Sequence, residues 1–272
     1  LCALVNHGYC LLSGLPVAST SAAPLTSDAS CNSIDDSKRE IPMSSSSLNI
    51  PAMLAIMRLT FRRTVVARID IVSNIIFGVV LGYAMAFLWQ TLYENEVITP
   101  SVPIGRMVTY AILGSVVTTV FQTGVLYEGN WRIRTGEIVF DILRPVSWQL
   151  NLLGNFAGQV LAQAVAVGVP VVLICSLFLD FQAPASVVAA IVFIPSLILG
   201  ALLGFSIIFL IMLLAFRYTQ VGGIESALRG FRPLLTGALI PLWFLPSGVA
   251  SALEFLPFPG MTYTPLAIYV GE

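Results

Sequence analysis

Charge is what this sequence has least of. Asp, Glu, Lys and Arg make up 10% of its 272 residues and hydrophobic residues 57%, against about 25% and 45–50% in soluble domains. Lysine occurs once, as Lys38, and histidine once, as His7. There is no GxxxxGK[ST] run, so the chain has no P-loop, and any use of ATP must come through a separate chain. Without histidine in the apolar part there is no Ser–His machinery, and no His/Glu or Cys cluster offers a metal site. The four cysteines, Cys2, Cys10, Cys31 and Cys175, have the spacing of neither a zinc site nor a disulfide framework. A net charge of −1 gives no basic field for nucleic acid. No catalytic, cofactor-binding or metal-binding residue is expected on this chain.

What the sequence does have is uncharged runs. Five windows lack Asp, Glu, Lys and Arg: Ile71–Tyr93, Met107–Tyr127, Pro145–Leu179, Phe181–Phe216 and Pro233–Leu253. A helix needs about 20 apolar residues to cross a hydrocarbon core of about 30 Å. A buried core helix would explain one such window; five in succession read as a polytopic membrane protein. Barrel strands are about 10 residues long with strict alternation, which these are not. The expected fold is all-α, with spans at 71–92, 107–127, 158–179, 190–214 and 234–253. The surplus Pro145–Ala157 is expected along the interface, and Pro184 and Pro195 are expected to delay or kink the fourth span. No ionisable residue is expected deep in a span, which weighs against a proton relay or ion-coupled carrier acting alone.

The arginines set the topology. Arg58, Arg62, Arg63 and Arg68 precede the first span, and successive loops then hold 1, 3, 0, 3 and 0 basic residues. Positive charge marks the cytoplasmic side, so the N-terminus is expected inside a plasma or inner membrane. Leu54, Met57, Phe61, Val65 and Ile69 recur every three or four residues beside those arginines. That pattern suits a helix lying in the membrane interface. Residues 1–52 are rich in Ser, Ala and Pro and lack the basic start of a signal peptide. They read as a disordered or mis-assigned extension, with Met43 or Met53 as the start.

Asn74, Gln122, Asn155, Gln159 and Gln163 are the polar residues in or beside the spans. Gln159 and Gln163 share a helical face; helix–helix hydrogen bonding is the plainer reading, and a lining of the translocation path is the functional one. The pairs Gly78/Gly82, Gly154/Gly158 and Gly200/Gly204 have the spacing that lets helices approach closely.

One charged segment interrupts the apolar middle: WRIRTGEIVFDILRP, Trp131–Pro145. As one helix it would place Ile138, Val139, Ile142 and Leu143 on one face, and Arg134, Glu137, Asp141 and Arg144 on the other. Opposite charges would then pair at i,i+3 before Pro145 ends the helix. An ordinary snorkelling loop needs bases but no ordered acids, so a protein-facing surface is expected.

The run Arg134–Leu150, RTGEIVFDILRPVSWQL, resembles the signature of ABC-2 type transporter permeases, a G-(E/D)-x-x-x-x-L-L-R-P pattern after the second span. Gly136, Glu137, Leu143, Arg144 and Pro145 match it, with Ile142 in place of the usual Leu. A looser likeness runs through Gly237–Pro241, Pro246, Leu256–Pro257, Tyr263–Pro265 and Gly271. The resemblance covers Met53 to Glu272. It implies a six-span permease with an elbow helix at Met53–Asp70 and a coupling helix at Trp131–Arg144, here lacking its last helix. It also implies a second permease subunit, homo- or heterodimeric, and cytosolic P-loop ATPase subunits that carry the ATP. Arg132, Arg134, Glu137, Asp141 and Arg144 are then the expected ATPase contacts, and Gln159 and Gln163 the path. The function expected is the membrane subunit of an exporter. The alternatives are an ATPase-independent carrier or channel, or a non-transporting assembly subunit.

Overall fold

The computed structural model describes residues 50–95, 102–143, 147–218 and 221–271. Residues 1–49, most of the expected extension, lie outside them. Every regular element among the described residues is helical: α1 (Ile50–Val66), α2 (Arg68–Glu94), α3 (Ile104–Val120), α4 (Val125–Thr135), α5 (Ile138–Ile142), α6 (Trp148–Gln163), α7 (Val169–Phe178), α8 (Val187–Ala215), α9 (Gly222–Leu235), α10 (Ser247–Glu254) and α11 (Pro259–Val270).

Four stretches are long and apolar enough to cross a membrane: Arg68–Glu94, Ile104–Thr135, Trp148–Phe178 and Val187–Arg217. They coincide with the first four expected spans. The third is longer than expected at its start. Residues 148–157 are not a separate interfacial segment but the first turns of α6, which passes through a π-turn, Ala164–Gly168, into α7. The fourth begins at Val187, where the Ser186 side chain accepts from the Ala189 N–H at 3.0 Å, and it continues through Pro195.

The fifth expected span, 234–253, is not one helix. α9 ends at Leu235, Gly237 takes φ +71°, a single 3₁₀ turn occupies Leu242–Phe244, and α10 starts only at Ser247. Pro241 and Pro246 supply no N–H for a continuous ladder, and protein fills the place of the missing bonds. Tyr110, fully buried in α3, donates its hydroxyl to the Gly237 carbonyl at 2.6 Å. The Tyr263 N–H reaches the Thr236 carbonyl at 3.1 Å. Irregular backbone at this depth is tolerated only where protein satisfies it. The stretch Phe255–Gly271 contains the helix α11, which packs on α8 and α3.

α3 is the central helix, buried along nearly its whole length and flanked by α2, α7 and α11. All three glycine pairs lie at helix contacts. Gly78 and Gly82 face Val171 and Cys175 of α7 and Thr119 and Ser115 of α3; Gly154 and Gly158 face Met53, Met57 and Thr60 of α1; Gly200 and Gly204 face Met261 of α11. In a membrane, where apolar lipid removes the hydrophobic drive, such close contact supplies the association energy.

One side of α1 is taken by protein. The helix lies along α6 through Met53, Ile56, Met57 and Thr60, while Leu54, Val65 and Ile69 of its expected stripe are exposed. The contact is keyed by hydrogen bonds: Thr60 Oγ1 donates to Asn155 Oδ1 at 2.7 Å, and Asn155 Nδ2 donates to the Asn151 carbonyl at 3.0 Å. Asn155 is thus a helix-to-helix tether.

Candidate functional site

Two features gather the polar residues: the charged α4–α5 segment and a cavity between α2, α3, α8 and α9.

The segment is two short helices rather than one. α4 ends at Gly136, which takes φ +78°, a conformation that costs a residue with a side chain roughly 1–2 kcal/mol. The turn resets the helical phase between Arg134 and Glu137, so the one continuous helix expected there does not form. Ile138 is buried, but Val139, Phe140 and Leu143 are exposed by 55%, 70% and 75%. Arg132 Nη1 donates to Asp141 Oδ2 at 2.7 Å across the turn. Asp141 is buried and lines a crevice with Trp148 and Asn151 of α6. It therefore fastens α5 to the bundle instead of presenting its charge outward. Arg134 and Glu137 are exposed, and they are not paired with each other among the described residues. Arg144 lies outside the described residues, as do its expected pairing and the side chain of Ile142.

The cavity has a volume of about 520 Å³, within the roughly 300–1,000 Å³ typical of small-molecule sites. Asp70, Ser73 and Asn74 from the first turns of α2 line it, with Gln122 and Thr123 from the break between α3 and α4. Ile207, Ile208 and Ile211 of α8 form an apolar wall, and Thr236, Met261 and Thr262 are also in the lining. An aromatic cluster packs around those last residues: Tyr110, Trp243 and Tyr263, with ring centroids 5.2 and 5.6 Å from Trp243, and Phe244 stacked on Trp89 at 4.9 Å.

α9 is turned inside out relative to a helix of a soluble protein. Its residues Ile224, Phe231 and Leu234 are exposed, while Glu225, Arg229 and Arg232, at spacings of four and three, line the cavity. Glu225 Oε1 accepts from Arg229 Nη2 at 2.8 Å. Arg232 Nη1 donates to the Phe121 carbonyl at 3.1 Å, and its guanidinium carbon stands 5.9 Å from the centre of the Phe121 ring. Its Nη2 is buried without a partner. Gly204 leaves room for it: a methyl group there would sit 3.2 Å from Nη2. α9 lies outside the four long spans, and burial lowers the Arg232 guanidinium to about 10, so it stays charged at neutral pH. Arg232 belongs to none of the four long spans, but its guanidinium stands beside Gly204 of α8.

The two glutamines part company. Gln163 lines the cavity, its Oε1 buried without a partner. Gln159 Oε1 accepts the Gly124 N–H at 2.9 Å, which holds the start of α4, the helix-tethering role. Arg232 was missed because its position after a basic loop reads as topology. The available signal was the order Glu225, Arg229, Arg232 on one helical face opposite Ile224, Phe231 and Leu234.

A family model described as ABC-2 family transporter protein matches residues 82–272. Most of the cavity wall and the whole α4–α5 segment fall inside the match; α1 and the first turns of α2 precede it. No curated protein and no solved structure matches the chain.

Proposed function

The chain belongs to the ABC-2 family of transporter proteins, as a multi-pass membrane permease subunit of an ABC transporter, and from that premise we propose that it is an exporter subunit driven by separate ATPase chains through the α4–α5 segment. The observation that carries this reading is the exposed apolar and charged surface of α5. Arg134, Glu137, Val139, Phe140 and Leu143 project from a segment that the Arg132–Asp141 bond and buried Ile138 hold to the bundle. A lever needs rigid attachment at one side and an open contact surface at the other. A mixed aromatic and charged surface is the kind that protein partners bury.

In this reading the arginine-bearing end, with α1, α4, α5 and α9, faces the cytoplasm of the cell membrane. ATP is bound and hydrolysed on the partner, a P-loop chain, and a second permease subunit completes the transporter. Asp70, Ser73 and Asn74, in the first turns of α2 at that same end, line the cavity, which suits loading from inside. Glu137→Lys with Phe140→Asp is expected to abolish permease-dependent stimulation of the ATPase while the chain still inserts and folds. Unchanged stimulation sinks the coupling role.

Arg232 favours one second reading, because a buried charge in a membrane cavity is also what a gradient-driven carrier uses. Transport in proteoliposomes holding this chain alone would select the carrier.

A further inference from the structure

Arg232 is a half-buried cation whose two Nη2 N–H donors are unanswered. Nη1 is used on the Phe121 carbonyl, and Nη2 is buried with no partner. A buried donor left unsatisfied is destabilising, and more so when it is charged. The acids that share the cavity do not answer it: Glu225 accepts from Arg229, and Asp70 is exposed in the first turn of α2. Further donors line the same cavity. Thr236 and Thr262 bring hydroxyls, and the Gln163 amide, whose oxygen lacks a partner, can turn to present its N–H groups. Ile207, Ile208 and Ile211 of α8 line the same cavity.

We propose that Arg232 binds a phosphate-class oxyanion carried by the molecule this cavity accepts. Three features converge on that chemistry. The planar guanidinium presents two N–H groups on Nη2 to an oxyanion. Burial of Nη2 limits the water that would otherwise compete. The hydroxyls and the amide can serve the remaining oxygens, while Ile207, Ile208 and Ile211 accept an apolar tail. The assignment rests on the permease reading for the cavity's role in transport, and it names the substrate class for that cavity.

Binding is measured on the full chain in neutral detergent with no ATPase present, so its failure is separate from a failure of coupling. The probes are hexyl phosphate, hexyl glucoside with the same tail and no charge, inorganic phosphate, and phosphatidylcholine nanodiscs with or without phosphatidic acid. Hexyl phosphate is expected to bind and raise the unfolding temperature, with hexyl glucoside at least about tenfold weaker. Arg232→Gln should remove that preference, Arg232→Lys should keep part of it, and Arg217→Gln, which deletes an exposed charge elsewhere, should leave it intact. Inorganic phosphate equal to hexyl phosphate identifies a free oxyanion as the source. Stabilisation by phosphatidic acid that depends on Arg232 identifies a lipid headgroup. Equal binding of the two hexyl probes to the unmodified chain overturns the proposal even if the Gln variant does not fold. Binding of phosphate probes unchanged in a folded Arg232→Gln chain overturns it as well.

Discussion

Gly200 and Gly204 sit one turn apart on α8 and face the same helix, α11, yet alanine should be far less well tolerated at the first than at the second. A methyl group at Gly200 would lie 2.6 Å from the Met261 carbonyl oxygen, 3.1 Å from the Gly260 carbonyl oxygen and 3.2 Å from the Met261 carbonyl carbon. All three are backbone atoms, so relief requires moving α11 away from α8. At Gly204 the nearest atom would be Met261 Cε at 2.7 Å, the end of a flexible side chain that can rotate aside. Replacing Gly by Ala inside a helix gains about 0.5–1 kcal/mol at either site. Overpacking against an immovable neighbour costs about 1–3 kcal/mol. The propensity gain is common to both and cancels in the difference. Gly200→Ala should therefore be about 1–3 kcal/mol less stable than Gly204→Ala, which itself should be near neutral. For a chain of this size, 1 kcal/mol shifts the midpoint by roughly 2–4 °C, so the two variants should separate by several degrees. The assay is thermal unfolding of the purified full chain in one detergent at one scan rate, since unfolding of such proteins is commonly irreversible. Equal midpoints, or Gly204→Ala the less stable of the two, would refute the claim that α11 backbone rests on Gly200.

Other outcomes follow from the same contacts. Thr60→Val removes the hydrogen bond from α1 to Asn155 and should cost about 0.6–1.7 kcal/mol, read as a lower unfolding midpoint with unchanged oligomeric size. Gln159→Leu removes the acceptor for the Gly124 N–H and should lower stability by about 1 kcal/mol. Gln163→Leu leaves the packing intact and should instead alter transport or ligand binding; a change only in stability there would remove Gln163 from the path.

The segment Trp131–Pro145 shows how far pattern reading reaches. Its charge, its place after the second span and its GE…LRP residues were all legible, because they are local. Its faces were not. Gly136 in the left-handed region breaks the helix, so the pairing of Arg134 with Glu137 that periodicity carries across that point does not form among the described residues. Asp141 likewise reads as a surface acid, but it is turned inward by Arg132, a pairing nine residues apart that no helical spacing suggests. The polar positions Asn155, Gln159 and Gln163 were found by type alone, and only their neighbours separate a tether from a cavity wall.

Sequence alone determined that this is an all-helical membrane chain, where its four long apolar helices lie, where the arginines fall, and which family it belongs to. Those properties follow from the cost of placing charge and unpaired backbone in hydrocarbon, a cost that acts on each short stretch separately. Tertiary structure decided that the fifth apolar window breaks at Gly237, because Tyr110 and Tyr263 from distant segments satisfy its backbone. It also decided that the polar face of α9 turns inward. Arg232 stands at the cavity only because Phe121 and Gly204 arrive from two other parts of the chain to pack against its guanidinium.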